Sequence, residues 1–199
     1  MASAALSALF LAAAAAAAQP PPATVHVVVR TTLGDVHVRL ETERAPLTTA
    51  NFLRYVAAGH YRSGRFHRTV RPDTEIRKDV PIEVVQAGPN PARAKQTFPP
   101  ISLERTSKTG LEHLNGTISM ARDGPDTATA DFFICIGDQP SLDYGGKRNP
   151  DGQGFAAFGR VVSGMEVVRR IQASRAEGQR LTPPIEIVEI ERLSPGQSK

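Results

Sequence analysis

The chain has 199 residues, 40% of them hydrophobic and 22% charged, with a formal net charge of +4. That length holds one self-sufficient core, and that composition excludes a disordered or fibrous chain. Lys and Arg are scattered rather than clustered with stacking aromatics, so the basic balance reads as a solvated surface and no nucleic-acid partner is expected.

In chain order, residues 1–18 carry no charge and contain an apolar run, Leu6 to Ala18, closing on Ala16-Ala17-Ala18 before Gln19 and Pro20 to Pro22. An apolar run that ends in small residues and falls short of the ~20 residues needed to span a bilayer is the pattern of an export signal. Cleavage is expected after Ala18, leaving a Pro-rich linker at 19–24 and a folded domain at 25–193, in the periplasm or outside the cell with no stable membrane insertion. The basic segment that usually precedes such a run is missing, which makes this an unusual signal, with a misplaced start codon and a plain Ala-rich tail as the competing readings.

Val25 to Arg30 and Val36 to Leu40 are β-rich runs joined through Thr31 to Asp35, a hairpin whose Gly34 supplies the turn. Pro46 opens a helix in which Leu47, Phe52, Leu53 and Val56 recur at helical spacing, and Gly59 ends it. Strands follow around Arg65 to Val70, Ile82 to Ala87, Gly116 to Ala121, Phe132 to Ile136 and Ala156 to Val161. A second helix is expected from Gly164 to Ala173, with Ser163 as its cap and Val167, Val168 and Ile171 on its buried side. Ile185 to Arg192 is the last strand, and 194–199 is a loose polar tail. Many short strands with only two helices argue for a mainly β fold, a closed antiparallel barrel whose ends the two α-helices cover, since closure removes exposed edges. A monomer is expected.

Cys135 is the single cysteine, so no intrachain disulfide can form, and its apolar surroundings make it a core residue rather than a nucleophile. No nucleophile elbow surrounds Ser141, and His60 and His67 belong to no ligand-spaced cluster. Neither a metal nor another cofactor is expected.

Five segments stand in one order: Phe66-His67-Arg68, Val84 to Gly88, Gly116 to Arg122, Asp131 to Ile136 and Phe158 to Met165. Together they resemble the signature of the cyclophilins, peptidyl-prolyl cis/trans isomerases, over about Val25 to Ile190. The resemblance implies the cyclophilin barrel, and proline-containing peptides and unfolded protein clients as partners. Rotation about an X–Pro bond breaks amide conjugation against ~18–20 kcal/mol without covalent change. It needs a donor at the prolyl nitrogen and an apolar pocket for the ring.

The resemblance assigns the donor to Arg68, with Gln86 steadying it and bonding the substrate backbone. Phe66, Val84, Phe133, Leu142 and Phe155 then belong to the substrate-binding set, with Phe133 as the floor. Ala121, Arg122 and Asp131 line the groove beside it. Phe132 and Phe133 face opposite sides of a strand, so one of them is core. Several positions depart from the family. Glu83 replaces a pocket phenylalanine, a loss that Ile82 could make good. Asp131 replaces a glutamine and is expected to pair with Arg68 or Arg122, and Ser141 replaces an aromatic. Two loops, Arg71 to Pro81 and Asp143 to Gly154, are longer than the family needs and flank the groove. The rival reading is a peptide-binding or chaperone module of the same fold with weakened catalysis.

Overall fold

The computed structural model describes residues 24–194. The expected leader, all but the last residue of the linker and all but the first residue of the tail lie outside the described residues. β1 (Val25–Thr31) and β2 (Gly34–Leu40) form the predicted hairpin, Val25 opposite Leu40 and Thr31 opposite Gly34. Gly34 holds φ +126°, a conformation that costs only glycine nothing. The Thr31 hydroxyl, donating to the Gly34 carbonyl at 2.7 Å, closes the turn.

Helix α1 (Pro46–Ala57) buries Phe52 and Tyr55. Phe52 meets Tyr61, Phe132 and Phe158 with ring centroids 5.2–5.6 Å apart. Leu47, expected on the inner face, is exposed because it lies in the first turn, where the chain is still entering from solvent. β3 (Gly64–Val70) and β4 (Val84–Gly88) follow, then a one-turn helix α2 (Thr106–Thr109), β5 (Thr117–Met120), β6 (Phe132–Cys135) and β7 (Ala156–Ser163). Helix α3 (Met165–Ala173) buries Val167, Val168 and Ile171 as the spacing predicts. Its cap is not Ser163, which ends β7, but Gly164 at φ +93°, without a side-chain capping bond. A side chain at Gly164 would collide with the Asp35 carbonyl, so close approach of β2 decides the residue.

β8 (Ala176–Glu177) and β9 (Arg180–Arg192) complete one nine-stranded antiparallel sheet in the order β1-β2-β7-β5-β6-β4-β3-β9-β8. β1 also pairs with β9, so the sheet closes into a barrel and only β8 hangs outside the ring. β9 begins five residues earlier than expected, at Arg180 rather than Ile185. Pro183 and Pro184 hide it in sequence, since neither donates to a ladder. The β3–β9 pairing indeed jumps across them, from Phe66 opposite Ile185 to Arg68 opposite Arg180.

The barrel encloses the main core, which includes Phe66, Phe132, Ile118, Met120, Phe158 and Leu181. α3 lies against the β1–β2 turn, Val167 touching Gly34, while α1 starts just beyond the other end of β2. A second, smaller apolar cluster of Val70, Ile82, Val84, Phe133, Cys135 and Leu142 packs apart from the barrel core. That outer cluster is the ground on which the site is built.

Candidate active site

Strand alternation places residues i and i+2 on one face, so Phe66 and Arg68 should point the same way. A bulge at His67 breaks the rule. Phe66 pairs with Ala87, but Arg68 pairs with Gln86, so two steps along β3 match one along β4. The extra residue turns Phe66 into the barrel and Arg68 out of it. Phe66, fully buried and 6.1 Å from the Phe132 ring, is therefore a core residue and not part of the substrate-binding set.

Beyond the bulge, one row of paired residues crosses four strands: Arg68 on β3, Gln86 on β4, Phe133 on β6 and Ser119 on β5. The neighbouring row, Phe66, Ala87, Phe132 and Met120, faces the core. The register thus separates the two phenylalanines, Phe132 inward and Phe133 outward. Over the outer row lies a cavity of about 370 Å³. Its apolar part includes Ile82, Val84, Ala121, Phe133, Leu142 and Phe155; its polar part includes Arg68, Gln86, Arg122 and Asp131. All of the expected site residues except Phe66 meet there. Phe133 and Phe155 stand edge to face at 5.4 Å, which gives the floor two perpendicular ring surfaces.

Arg68 is half-buried and held at three nitrogens. Nη1 donates to Gln86 Oε1 at 2.9 Å, while Nε and Nη2 donate to Gln179 Oε1 at 2.9 and 2.7 Å. Gln179, in the β8–β9 turn, is anchored in turn through Nε2 to the Thr74 carbonyl at 3.1 Å. Sequence reasoning missed it, since a glutamine 111 residues from the arginine carries no local signal. Burial, with Arg148 nearby, lowers the Arg68 pKa, but guanidinium remains charged at any physiological pH. Of its five N–H groups three are used, leaving one on each terminal nitrogen for a ligand.

The family model for cyclophilin type peptidyl-prolyl cis-trans isomerases matches residues 26–192. The chain belongs to that family. This cyclophilin is 36% identical over 157 residues to peptidyl-prolyl cis-trans isomerase A of Dickeya dadantii, a match covering 77% of this chain and 74% of the relative. It is 32% identical over 171 residues to isomerase B of Escherichia coli, covering 84% of this chain and 98% of the relative. In fold it resembles the crystal structure of a Cryptosporidium parvum cyclophilin type isomerase, with a TM-score of 0.68 at 21% identity over 86% of this chain and 98% of that one. The protein is an enzyme that rotates X–Pro bonds in peptide and protein substrates.

The cyclophilin's departures from its family look different in place. Glu83 does not reach the cavity: its Oε2 accepts from Gln172 Nε2 on α3 at 2.8 Å, and Ile82 supplies the apolar wall. Asp131 pairs with neither arginine. Its Oδ2 lies 3.7 Å from His67 Nε2 and 3.5 Å from Gln86 Nε2, and partial burial pushes its carboxyl up, opposed by His67 and Gln86. Arg122 is committed instead to Asp151, at 2.7 and 3.0 Å, and to the Gly154 carbonyl at 2.8 Å. With Glu83 turned away and Arg68 held by two neutral amides, no acid competes for the donor. That removes two of the three grounds for a weakened binding module.

Beneath the cyclophilin floor lies an arrangement the sequence did not suggest. His113 stacks on Phe133 at 5.9 Å, its Nε2 within 2.9 Å of Ser119 Oγ and its Nδ1 within 2.7 Å of Asp143 Oδ1. All three resemble a hydrolytic triad in type, but His113 and Ser119 are buried under the ring, where no substrate reaches. They fix the position of Phe133. The hydrolase reading fails elsewhere too: burial pushes the Cys135 thiol far up, and the Ser141 hydroxyl is buried without a partner among the described residues.

Proposed function

We propose that Arg68 is the catalytic residue of this isomerase. The observation that carries the proposal is the row Arg68, Gln86 and Phe133, which sets a charged donor beside an apolar ring site on one rigid sheet face. A proline ring seated on Phe133, between Val84, Leu142 and Phe155, would present its nitrogen toward the two unused guanidinium N–H groups. Donation there withdraws the nitrogen lone pair from the amide, and that interaction is stronger when the bond is twisted than when it is planar. Gln86 and Gln179 keep the fork in place through the rotation. Ala121 and Asp131 flank the path of an extended peptide, Ala121 N–H being bonded to the Asp131 carbonyl at 2.9 Å.

Arg68→Ala is expected to lower kcat/KM on a short X–Pro peptide at least about tenfold, roughly 1.4 kcal/mol of barrier, with normal folding. Arg68→Lys is expected to be impaired as well, because a point charge cannot hold two glutamine oxygens and a substrate together. Unchanged turnover in a folded Arg68→Ala variant would remove Arg68 from the mechanism.

We further propose that this is an exported bacterial member, acting as a monomer on proline-containing segments of exported chains in the periplasm or outside the cell. The support is the uncharged apolar run of residues 6–18 with its Ala-rich end. No helix among the described residues is long and apolar enough to cross a membrane.

A further inference from the structure

The two long loops beside the cavity are not independent. Glu75, in the loop after β3, and Arg148, in the loop before β7, form an ion pair at 2.8 Å with side chains only 1% and 9% exposed. Arg148 Nη1 also donates to the Val80 carbonyl at 2.8 Å, and Arg77 Nη1 donates to the Arg148 carbonyl at 2.6 Å. Glu75 is further saturated by the backbone N–H groups of Arg77 and Ile82, at 2.8 and 3.1 Å. Burial opposes its charge, but these bonds and Arg148 hold its carboxyl below the usual range.

The consequence for the cavity is a further guanidinium in its wall with donors to spare. Arg122 spends its guanidinium on Asp151 and Gly154, whereas Arg148, which also lines the cavity, commits only Nη1; its Nε and Nη2 have no bond among the described residues. The position is polarised along β4. Asp131, with Asp123 acting on it, lies at the Gly88 end, while Val70 opposite Val84 carries the chain into the Glu75 loop at the other end. Arg68 lies between them, its pKa lowered by burial and by Arg148 and raised by Glu75.

We infer that Arg148 is a specificity-determining residue that reads a carboxylate on the residue flanking the substrate proline, so the enzyme favours acidic X–Pro segments in one of the two flanking positions. The inference rests on the assignment of the proline to the Phe133 floor. In this proposal one flanking residue leaves the ring site toward Arg148, where a carboxylate meets the uncommitted Nε and Nη2 donors in a partly desolvated wall. Elsewhere in the wall Arg122 has all three of its nitrogens bonded to Asp151 and Gly154.

The test compares end-blocked tetrapeptides carrying Glu before or after the proline with their Gln isosteres, by kcat/KM in a protease-free assay. In the wild type one Glu position should exceed its Gln isostere about fivefold, and the ratio should shrink between about 50 and about 500 mM salt. Arg148→Gln alone would strand a buried carboxylate, so the variant is Glu75→Gln with Arg148→Gln, in which the ratio should fall to about one. A purely structural ion pair would change rates on Glu and Gln peptides alike. Equal rates on Glu and Gln peptides in the wild type, or a preference surviving in the double variant, would overturn the role of Arg148 while leaving isomerisation intact. Absence of turnover on every peptide would take the assignment of the site down with it.

Discussion

A long arginine side chain loses about 2 kcal/mol of rotamer freedom when it is fixed, and Arg68 is fixed by amides rather than by a carboxylate. The difference matters because a carboxylate would bind the guanidinium in the empty site and have to be displaced, whereas an amide oxygen positions it and leaves its charge unspent. Gln179 is thus a positioning residue. Gln179→Leu is expected to lower kcat about fivefold with little change in KM and a melting temperature close to wild type, since the turn that carries it stays intact. A loss confined to KM would contradict that role. At this scale the sequence was legible where short motifs carried a family resemblance. Arg68, Gln86 and Phe133 were named through it, whereas the residues alone left Phe132 and Phe133 undecided and gave no weight to a glutamine at a strand end. Phe66 was placed in the substrate-binding set by its motif, Phe66-His67-Arg68, and the bulge that turns it into the core leaves no mark on composition. Gln179, Glu75 and Arg148 act across long sequence separations, through bonds that only the folded chain creates.

Helix α1 has no side-chain cap of its own, Ala45 standing where a Ser, Thr, Asp or Asn usually serves. The Glu104 carboxylate, from a loop far along the chain, takes over: it accepts from the Leu47 and Thr48 N–H groups at 3.1 and 2.7 Å and from the Thr48 hydroxyl at 2.6 Å. A negative group at a helix N-terminus is favourable on two counts, pairing orphan donors and meeting the positive end of the dipole. Glu104→Ala should destabilise the domain by about 1–2 kcal/mol, seen as a lower denaturant midpoint at unchanged slope. Hydrophobic spacing told where α1 begins and ends to within two residues, because Pro46 and Gly59 punctuate it. What holds its first turn was invisible, the partner lying 56 residues from Thr48. Strand β9 shows the opposite case, expected only from Ile185, whereas the strand begins at Arg180 and runs through two prolines.

For the whole molecule, closure of β1 onto β9 ties the first described strand to the last, so nothing upstream of Val25 is needed to complete the barrel. Cleavage of the proposed leader would therefore leave the closed barrel whole. N-terminal sequencing of protein isolated from its native host should find a chain starting near Gln19; a retained Met1 in a cytoplasmic fraction would refute export. Barrel and capping helices were legible because alternation, helical spacing and turn glycines all pointed one way. The cavity's closing wall was not, since loops of unusual length announce themselves without saying what they touch. Glu75 and Arg148 now say it. Trimming either loop alone would leave its partner's charge buried and unpaired, at about 3–5 kcal/mol, a large fraction of what a domain this size has to spare. The two segments form one heritable module, to be grafted onto another barrel or deleted from this one only together.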